Sequence, residues 1–134
     1  MPEQDDGLAR KHQLHGVQPV LPVVDVAASA AYFADVLGFE VDFLYGEPPV
    51  HGRVRSGDGS YGEPIYIHLA RSAPDDCPEV ELRIHVGSDV DGLYAEYLRR
   101  GAQIEEAPVS RPWGLREFLL RTPDGHWLRF CAEA

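Results

Sequence analysis

The sequence predicts an α+β fold in which two tandem βαβββ units form a cupped mixed sheet with helices on its outer face. Residues 23–41 and 87–104 repeat one pattern: an Asp opens a helix, an aromatic residue lies in its middle, and a Gly precedes a strand. One strand-like run precedes each helix and about three follow it. The repeat therefore predicts two units of the same order, at about residues 14–71 and 80–132.

The length of 134 residues fits one domain over residues 1–134, large enough to bury a core without disulfides. Residues 1–13 form a polar tail without an apolar signal segment. No apolar run approaches the ~18 residues that a membrane span requires. We therefore expect a cytoplasmic protein that neither spans nor binds a membrane.

The charge of the chain argues against nucleic acid as a partner. Twenty-two acidic residues against twelve Lys and Arg give a formal net charge of −10, which opposes phosphate backbones and anionic lipids. The same acidity serves solubility or the attraction of a cationic ligand. Cys77 and Cys131 are predicted to be free thiols in an intracellular chain.

The helix of each unit has recognisable ends. Asp25 opens the first helix and Asp89, or Ser88, opens the second, while Gly38 and Gly101 suit the left-handed position after a helix. Apolar residues of the second helix recur at the spacing of one helical face packed on a sheet: Val90, Leu93, Tyr94, Tyr97 and Leu98.

Turn sequences and alternating apolar residues place the strands. The first unit is predicted to have strands at 15–23, 39–46, 51–56 and 63–70, and the second at 80–86, 103–106, 114–121 and 126–132. Residues 57–60 and 122–125 read as turns, and the Pro- and Asp-rich residues 72–79 as the connector between units.

Period-two alternation separates two faces of the sheet. Ile67, Leu82 and Leu128 belong to apolar sets that should face the helices. The opposite face carries aromatic and oppositely charged side chains that suit a lined cavity better than a wet surface: Tyr66, His68, Glu81, Arg83, His85, Trp127 and Arg129.

Two stretches show a family resemblance. "LPVVDVAASAAYFADVLGFEV" and "WGLREFLLRTPDGHWLRF" resemble the glyoxalase, bleomycin resistance and extradiol dioxygenase superfamily, also called vicinal oxygen chelate, over about residues 14–132. These strings are scaffold features and indicate fold better than chemistry. The resemblance implies that metal enzymes of the superfamily place one ligand in the first and one in the last strand of each unit.

Matching by motif puts these four positions at Gln18, His68, Glu81 and Arg129, with Leu82 as the alternative to Glu81. Alternation favours Glu81, since Leu82 should face the helices. Arg129 cannot donate a lone pair to a metal and places a cation where the ion would lie. Bleomycin resistance proteins of the superfamily also lack the metal set and bind a cationic glycopeptide in a groove shared by two subunits, so the chain resembles them most.

The leading hypothesis is a metal-free, homodimeric protein without a cofactor that binds a small aromatic or cationic molecule, with antibiotics among the candidates. Trp113, Trp127, Tyr66 and Phe118 would offer stacking faces, Glu81, Arg116 and Arg129 would orient polar groups, and Gln18 and His68 would line the wall. Trp113 also fits a packed loop residue, and Arg116 with Glu117 an ion pair on a partly wet strand. His126 is predicted to be a solvated turn residue.

The alternative is a divalent-metal lyase or dioxygenase that uses Gln18, His68 and Glu81 as ligands. A fold without a ligand role, or a lone His68 base, is a third possibility. Under the leading hypothesis, His68 and Arg129 point into the same cavity, and Arg129 pairs with Glu81 as the only acid near it.

Overall fold

The computed structural model describes residues 7–60 and 62–134. It confirms the α+β fold and the βαβββ order of both units. The elements are α1 Leu8–Lys11, β1 Val20–Val23, α2 Val26–Asp35, β2 Glu40–Tyr45, β3 His51–Arg55, β4 Tyr66–Arg71, β5 Glu81–His85, α3 Val90–Arg99, β6 Gln103–Ser110, β7 Leu115–Arg121 and β8 Trp127–Glu133. The predicted polar tail contains the short helix α1, and its first six residues lie outside the described part.

The strands form two four-stranded sheets, ordered β1-β4-β3-β2 and β5-β8-β7-β6. In each sheet the first strand of the unit runs parallel to the last, and the remaining neighbours are antiparallel. Each sheet is therefore mixed, and β1 and β5 are edge strands.

The helices α2 and α3 begin and end as their sequences predict. The Asp25 carboxylate accepts a hydrogen bond from the Ala28 amide at 3.0 Å, and the Asp89 carboxylate accepts one from the Gly92 amide at 3.0 Å. Gly101, just after α3, has a φ of 93°, a conformation that glycine adopts without steric cost.

One hydrophobic core joins the two units. Phe33 and Leu37 of the first unit belong to the same buried cluster as Tyr97 and Phe130 of the second. The Tyr97 hydroxyl donates to the Leu37 carbonyl at 2.9 Å. Burial raises the pKa of Tyr97 to about 12, so this hydroxyl keeps its proton at neutral pH.

Polar contacts also join the two units. The Ser29 hydroxyl on α2 donates to Asp124, in the turn before β8, at 2.9 Å. His126, in the same turn, is 0% exposed, which corrects the prediction of a solvated side chain. The Val80 amide donates to its Nδ1 at 3.1 Å, so the proton lies on Nε2, which donates to the Pro22 carbonyl at 2.7 Å. The turn folds His126 against β1 of the other unit, a long-range contact that a local pattern does not reveal.

Among the described residues, no helix is long and apolar enough to cross a membrane. Cys77 and Cys131 are free thiols, as the sequence predicted.

Candidate ligand-binding site

Two histidine rings and a glutamine amide form a hydrogen-bonded chain on the face of the first sheet opposite the core. His68 on β4 meets His51 on β3, with 2.9 Å between His51 Nε2 and His68 Nδ1. His68 Nε2 lies 2.7 Å from Oε1 of Gln18, just before β1. Since that oxygen can only accept, His68 donates from Nε2 and accepts from His51 at Nδ1. His51 was not singled out from the sequence, although its position two residues before Arg53 on β3 places it on this face.

The environment of His68 disfavours its charged form. Partial burial, the neighbouring His51 and the charge of Arg53 together lower the pKa of His68 below its ordinary value. A neutral His68 is the form that the hydrogen bonds with His51 and Gln18 require.

Arg53 occupies the centre of this face. Its guanidinium lies 4.3 Å from the ring centroid of Tyr66 and 5.5 Å from that of Phe43. Asp42 accepts a hydrogen bond from Arg53 Nε at 2.8 Å and fixes it there. One face of Tyr66 is thus covered by a cation, which leaves less of the ring for a ligand than the sequence suggested.

On the second sheet, Arg129 pairs with Glu81 as predicted. Arg129 Nε donates to Glu81 Oε2 at 3.0 Å. Arg129 Nη1 also donates to Glu117 Oε2 at 2.9 Å, so the expectation that Glu81 is the only nearby acid is wrong. Glu117 lies on the same face of the second sheet as Arg129, because β7 pairs with β8 in a register that sets Glu117 opposite Cys131.

Glu117 is the centre of an ion-pair network. It is 1% exposed and accepts hydrogen bonds from Arg83 at 3.1 Å, Arg111 at 3.1 Å and Arg129 at 2.9 Å. Burial by itself would raise the pKa of Glu117, but the hydrogen bonds from the three arginines outweigh it and lower that pKa. The sequence interpretation of Glu117 as half of an exposed pair with Arg116 is therefore wrong.

Two of the predicted ligand contacts lie on the other side of the sheet. Phe118 is 0% exposed and stacks on Phe130 with 5.2 Å between ring centroids, inside the core. Arg116 forms a bidentate pair with Asp91 at the start of α3, at 2.8 Å for both contacts. Since Glu117 faces away from the helices, its neighbours in the strand must face them.

The two tryptophans lie at different depths. Trp113 is 64% exposed in the turn after β6, with the Arg111 guanidinium 6.0 Å from its ring centroid. Trp127 is half-buried beside Glu81 in the sheet; its indole N–H donates to Glu79 at 2.9 Å, and Arg121 lies 4.6 Å from its ring centroid.

The donor set does not fit the metal site that the superfamily's enzymes use. The Arg129 guanidinium stands at one ligand position and engages the carboxylate of a second, Glu81. Gln18 and His68 bond to each other in the first sheet. Over residues 7–60 and 62–134, no group of three or more His, Cys, Asp or Glu side chains could hold a metal ion.

A cleft of about 800 Å³ lies between the edge of the first sheet and β5. It is lined by residues 15–19, 63–67 and 82–85. Gln18 and Tyr66 are among these, but His68 and Arg129 are not. The hydrogen-bond partners of His68 belong to the first unit and those of Arg129 to the second.

Sequence comparison identifies the family of the chain. The model of the Glyoxalase/Bleomycin resistance protein/Dioxygenase superfamily matches residues 14–130, and the chain belongs to this superfamily. No curated protein sequence matches the chain.

Solved structures share the fold. The bleomycin-binding protein of Streptomyces verticillus, complexed with copper(II)-bleomycin, is 29% identical with a TM-score of 0.66, over 91% of this chain and 98% of that chain. TioX from Micromonospora sp. ML1 is 22% identical with a TM-score of 0.70, over 89% and 100%. Lactoylglutathione lyase from Agrobacterium tumefaciens is 15% identical with a TM-score of 0.68, over 89% and 94%.

Proposed function

We propose that the chain is a metal-free binding protein for a small molecule, with antibiotics among the candidate ligands. The observation that carries this proposal is the engagement of Arg129 with Glu81 and Glu117, because it puts a permanently charged guanidinium at a position where a metal enzyme of the superfamily needs an electron-pair donor. A metal-dependent lyase or dioxygenase would require Glu81 to leave Arg129.

The cleft between the units is the proposed seat of the ligand. Its volume of about 800 Å³ falls in the range typical of small-molecule sites. Aliphatic side chains and the polar groups of Gln18, Tyr66 and Arg83 share its lining, as expected of a site that holds an apolar body and orients it by few polar contacts. The likeness to a bleomycin-binding protein at 29% identity supports a binding role.

We further propose that two chains pair to complete the site. The edge strands β1 and β5 each leave one side without a strand partner within their sheets, and Val17 and Val20 beside them are exposed. The hydrogen-bond network around His68 and the ion-pair network around Arg129 each belong to one unit. If the second unit of one chain lies beside the first unit of the other, the network around Arg129 and the network around His68 would face each other across one groove.

Ligand binding is tested by intrinsic fluorescence. Because Trp127 lies half-buried on the same face as Arg129, an aromatic compound bound in the groove that two chains would complete should quench it. A panel of small antibiotics that includes metal-free bleomycin is titrated into the wild type, Trp127→Phe and Trp113→Phe. Saturable quenching that is lost in Trp127→Phe and kept in Trp113→Phe supports the proposal; absence of saturable binding by every compound, in fluorescence and in calorimetry, contradicts it.

A further inference from the structure

The cleft has a mostly apolar wall and one prominent cation. Aliphatic side chains of both units contribute to it: Val17, Ile65, Ile67, Leu82 and Ile84. Burying an apolar surface against these side chains stabilises a complex by about 25 cal/mol per Å² removed from water. The body of the bound molecule is therefore expected to be a hydrocarbon or an aromatic ring system.

Arg83, on β5, is the one arginine among the described residues that line this cleft. Its side chain is 41% exposed, more than those of Arg111 and Arg129, which are 23% and 17% exposed. Arg83 donates from Nη1 to Glu117, and across the described residues this is the only carboxylate within ion-pair distance of it. Cys131 is a further hydrogen-bond partner of this side chain, and a guanidinium with five N–H groups has donors beyond these two contacts.

The ion-pair network makes Arg83 the least neutralised of its three arginines. All three bond to Glu117, but Arg129 also pairs with Glu81 and Arg111 also pairs with Glu106. Glu117 contributes a single negative charge that the three guanidinium groups share. The three arginines and the carboxylates Glu81, Glu106 and Glu117 balance in charge, but Arg83 pairs only with the carboxylate that the other two arginines also use.

Besides the phenol of Tyr66, the other ionisable groups of the lining are His15, Glu63 and His85. Glu63 is the single acid among them, and it lies on the segment before β4 rather than on β5. It is exposed, so water and salt screen its charge. The net charge of −10 acts over a longer range and is reduced by the same screening beyond a Debye length of about 8 Å.

We infer that the cleft binds small molecules with an apolar body and one anionic group, a carboxylate or a sulfonate, which pairs with the guanidinium of Arg83. This inference deepens the proposed function and rests on it for the cleft as the ligand seat. A planar guanidinium with several free donors suits a multi-oxygen anion because two parallel hydrogen bonds form together.

Two fluorescent dyes with closely related ring systems test the anion preference. 8-Anilinonaphthalene-1-sulfonate carries a sulfonate, and N-phenyl-1-naphthylamine has the same rings without it. The wild type should bind the sulfonate dye at least about tenfold more tightly than the neutral dye, as expected for one charge-assisted contact of about 1.4 kcal/mol. Raising the salt concentration should weaken the sulfonate dye more than the neutral dye.

Four variants test whether the preference comes from Arg83. Arg83→Gln should lose the sulfonate preference, and Arg83→Lys should keep part of it. Arg71→Gln is the matched control, because it removes the same charge from an exposed residue of β4 that does not line the cleft. Glu63→Gln should bind the sulfonate dye more tightly, since it removes the opposing charge from the lining. Near-ultraviolet circular dichroism and thermal melting of each variant exclude dye binding to a loosened fold.

The outcomes separate the two proposals. Equal affinity for both dyes in the wild type, or an unchanged sulfonate preference in both Arg83 variants, overturns the inference and leaves small-molecule binding intact. If neither dye binds, the inference also falls; binding of a compound from the antibiotic panel would still uphold the proposed function, whereas no binding of any compound would reject both.

Discussion

Arg129 and Glu81 form a 3.0 Å ion pair in the second unit at the positions that Gln18 and His68 occupy, 2.7 Å apart, in the first. The two units thus use the same places in the fold for different contacts: a neutral hydrogen bond in one and an ion pair in the other. In each pair the two side chains already bond to each other, so coordination of a divalent ion by the bonded atoms would require that contact to break.

Loss of the Glu117 charge should destabilise the fold. Glu117→Gln keeps the shape of a side chain that is 1% exposed but leaves Arg83, Arg111 and Arg129 without their shared carboxylate. Breaking a buried network of this kind costs about 3 kcal/mol of unfolding free energy, which urea denaturation measures. Glu96→Gln, which removes an exposed acid paired with Arg99 and Arg100 on α3, is the control and should change stability little. Equal effects of the two substitutions would refute the central role of Glu117.

The His126 side chain should hold the two units together. His126→Ala removes the hydrogen bonds to the Pro22 carbonyl and from the Val80 amide, and leaves both partly buried backbone groups without these partners. The expected loss of unfolding free energy is about 2 to 3 kcal/mol. Thermal unfolding followed by circular dichroism, with the exposed His12→Ala as the control, measures it. A variant as stable as wild type would show that the core alone joins the units.

His68 should titrate below the ordinary histidine value. Its pKa is lowered by burial, by His51 and by Arg53, so its NMR titration midpoint should lie below about 6.5. Because the unfolded chain then binds more protons than the folded chain, stability should fall as the pH drops below about 6.5. Arg53→Gln should raise the midpoint by removing one cation, whereas Arg55→Gln, which removes a neighbouring strand charge, should not. A midpoint at or above the ordinary value would contradict this environment for His68.

Sedimentation should show a homodimer at micromolar concentration. Pairing would cover the exposed Val17 and the open edge of β1, so Val17→Asp should shift the protein toward the 14.9 kDa monomer. Val50→Asp, in the loop between β2 and β3 at the other end of the first sheet, is the control. If wild type sediments only as a monomer, the shared groove is wrong.

The fold could be predicted because its signals are local and repeated. Asp25 and Asp89 mark the helix starts, and the alternation of Glu81, Leu82 and Arg83 assigns the faces of β5. The Arg129–Glu81 pair also followed from alternation, because both residues lie on one face of adjacent strands.

The rest of the site depends on contacts that no single strand specifies. Strand β7 carries charged and apolar residues on both faces, so its sequence alone does not show which residues face the helices. The sequence interpretation therefore put Arg116 and Phe118 on the ligand side and did not identify Glu117 as the centre of a network. The pairing of β7 with β8 determines the two faces. His126 became buried through contact with β1 of the other unit, more than a hundred residues away in sequence. The partners of His68 and of Arg129 likewise depend on strand pairing, which period-two patterns alone do not encode.

Calorimetric titration of the purified, chelator-treated protein with Fe(II), Mn(II), Ni(II) and Zn(II) tests the metal-free account most directly. We expect no tight stoichiometric binding by wild type and a gain of affinity in Arg129→Glu, because the new carboxylate replaces the cation beside Glu81. Arg121→Glu, which makes the same charge change on β7 beside Trp127, is the control and should gain little. Tight binding of one equivalent of metal by wild type that is lost in His68→Ala would contradict the account and support a metal-dependent enzyme instead.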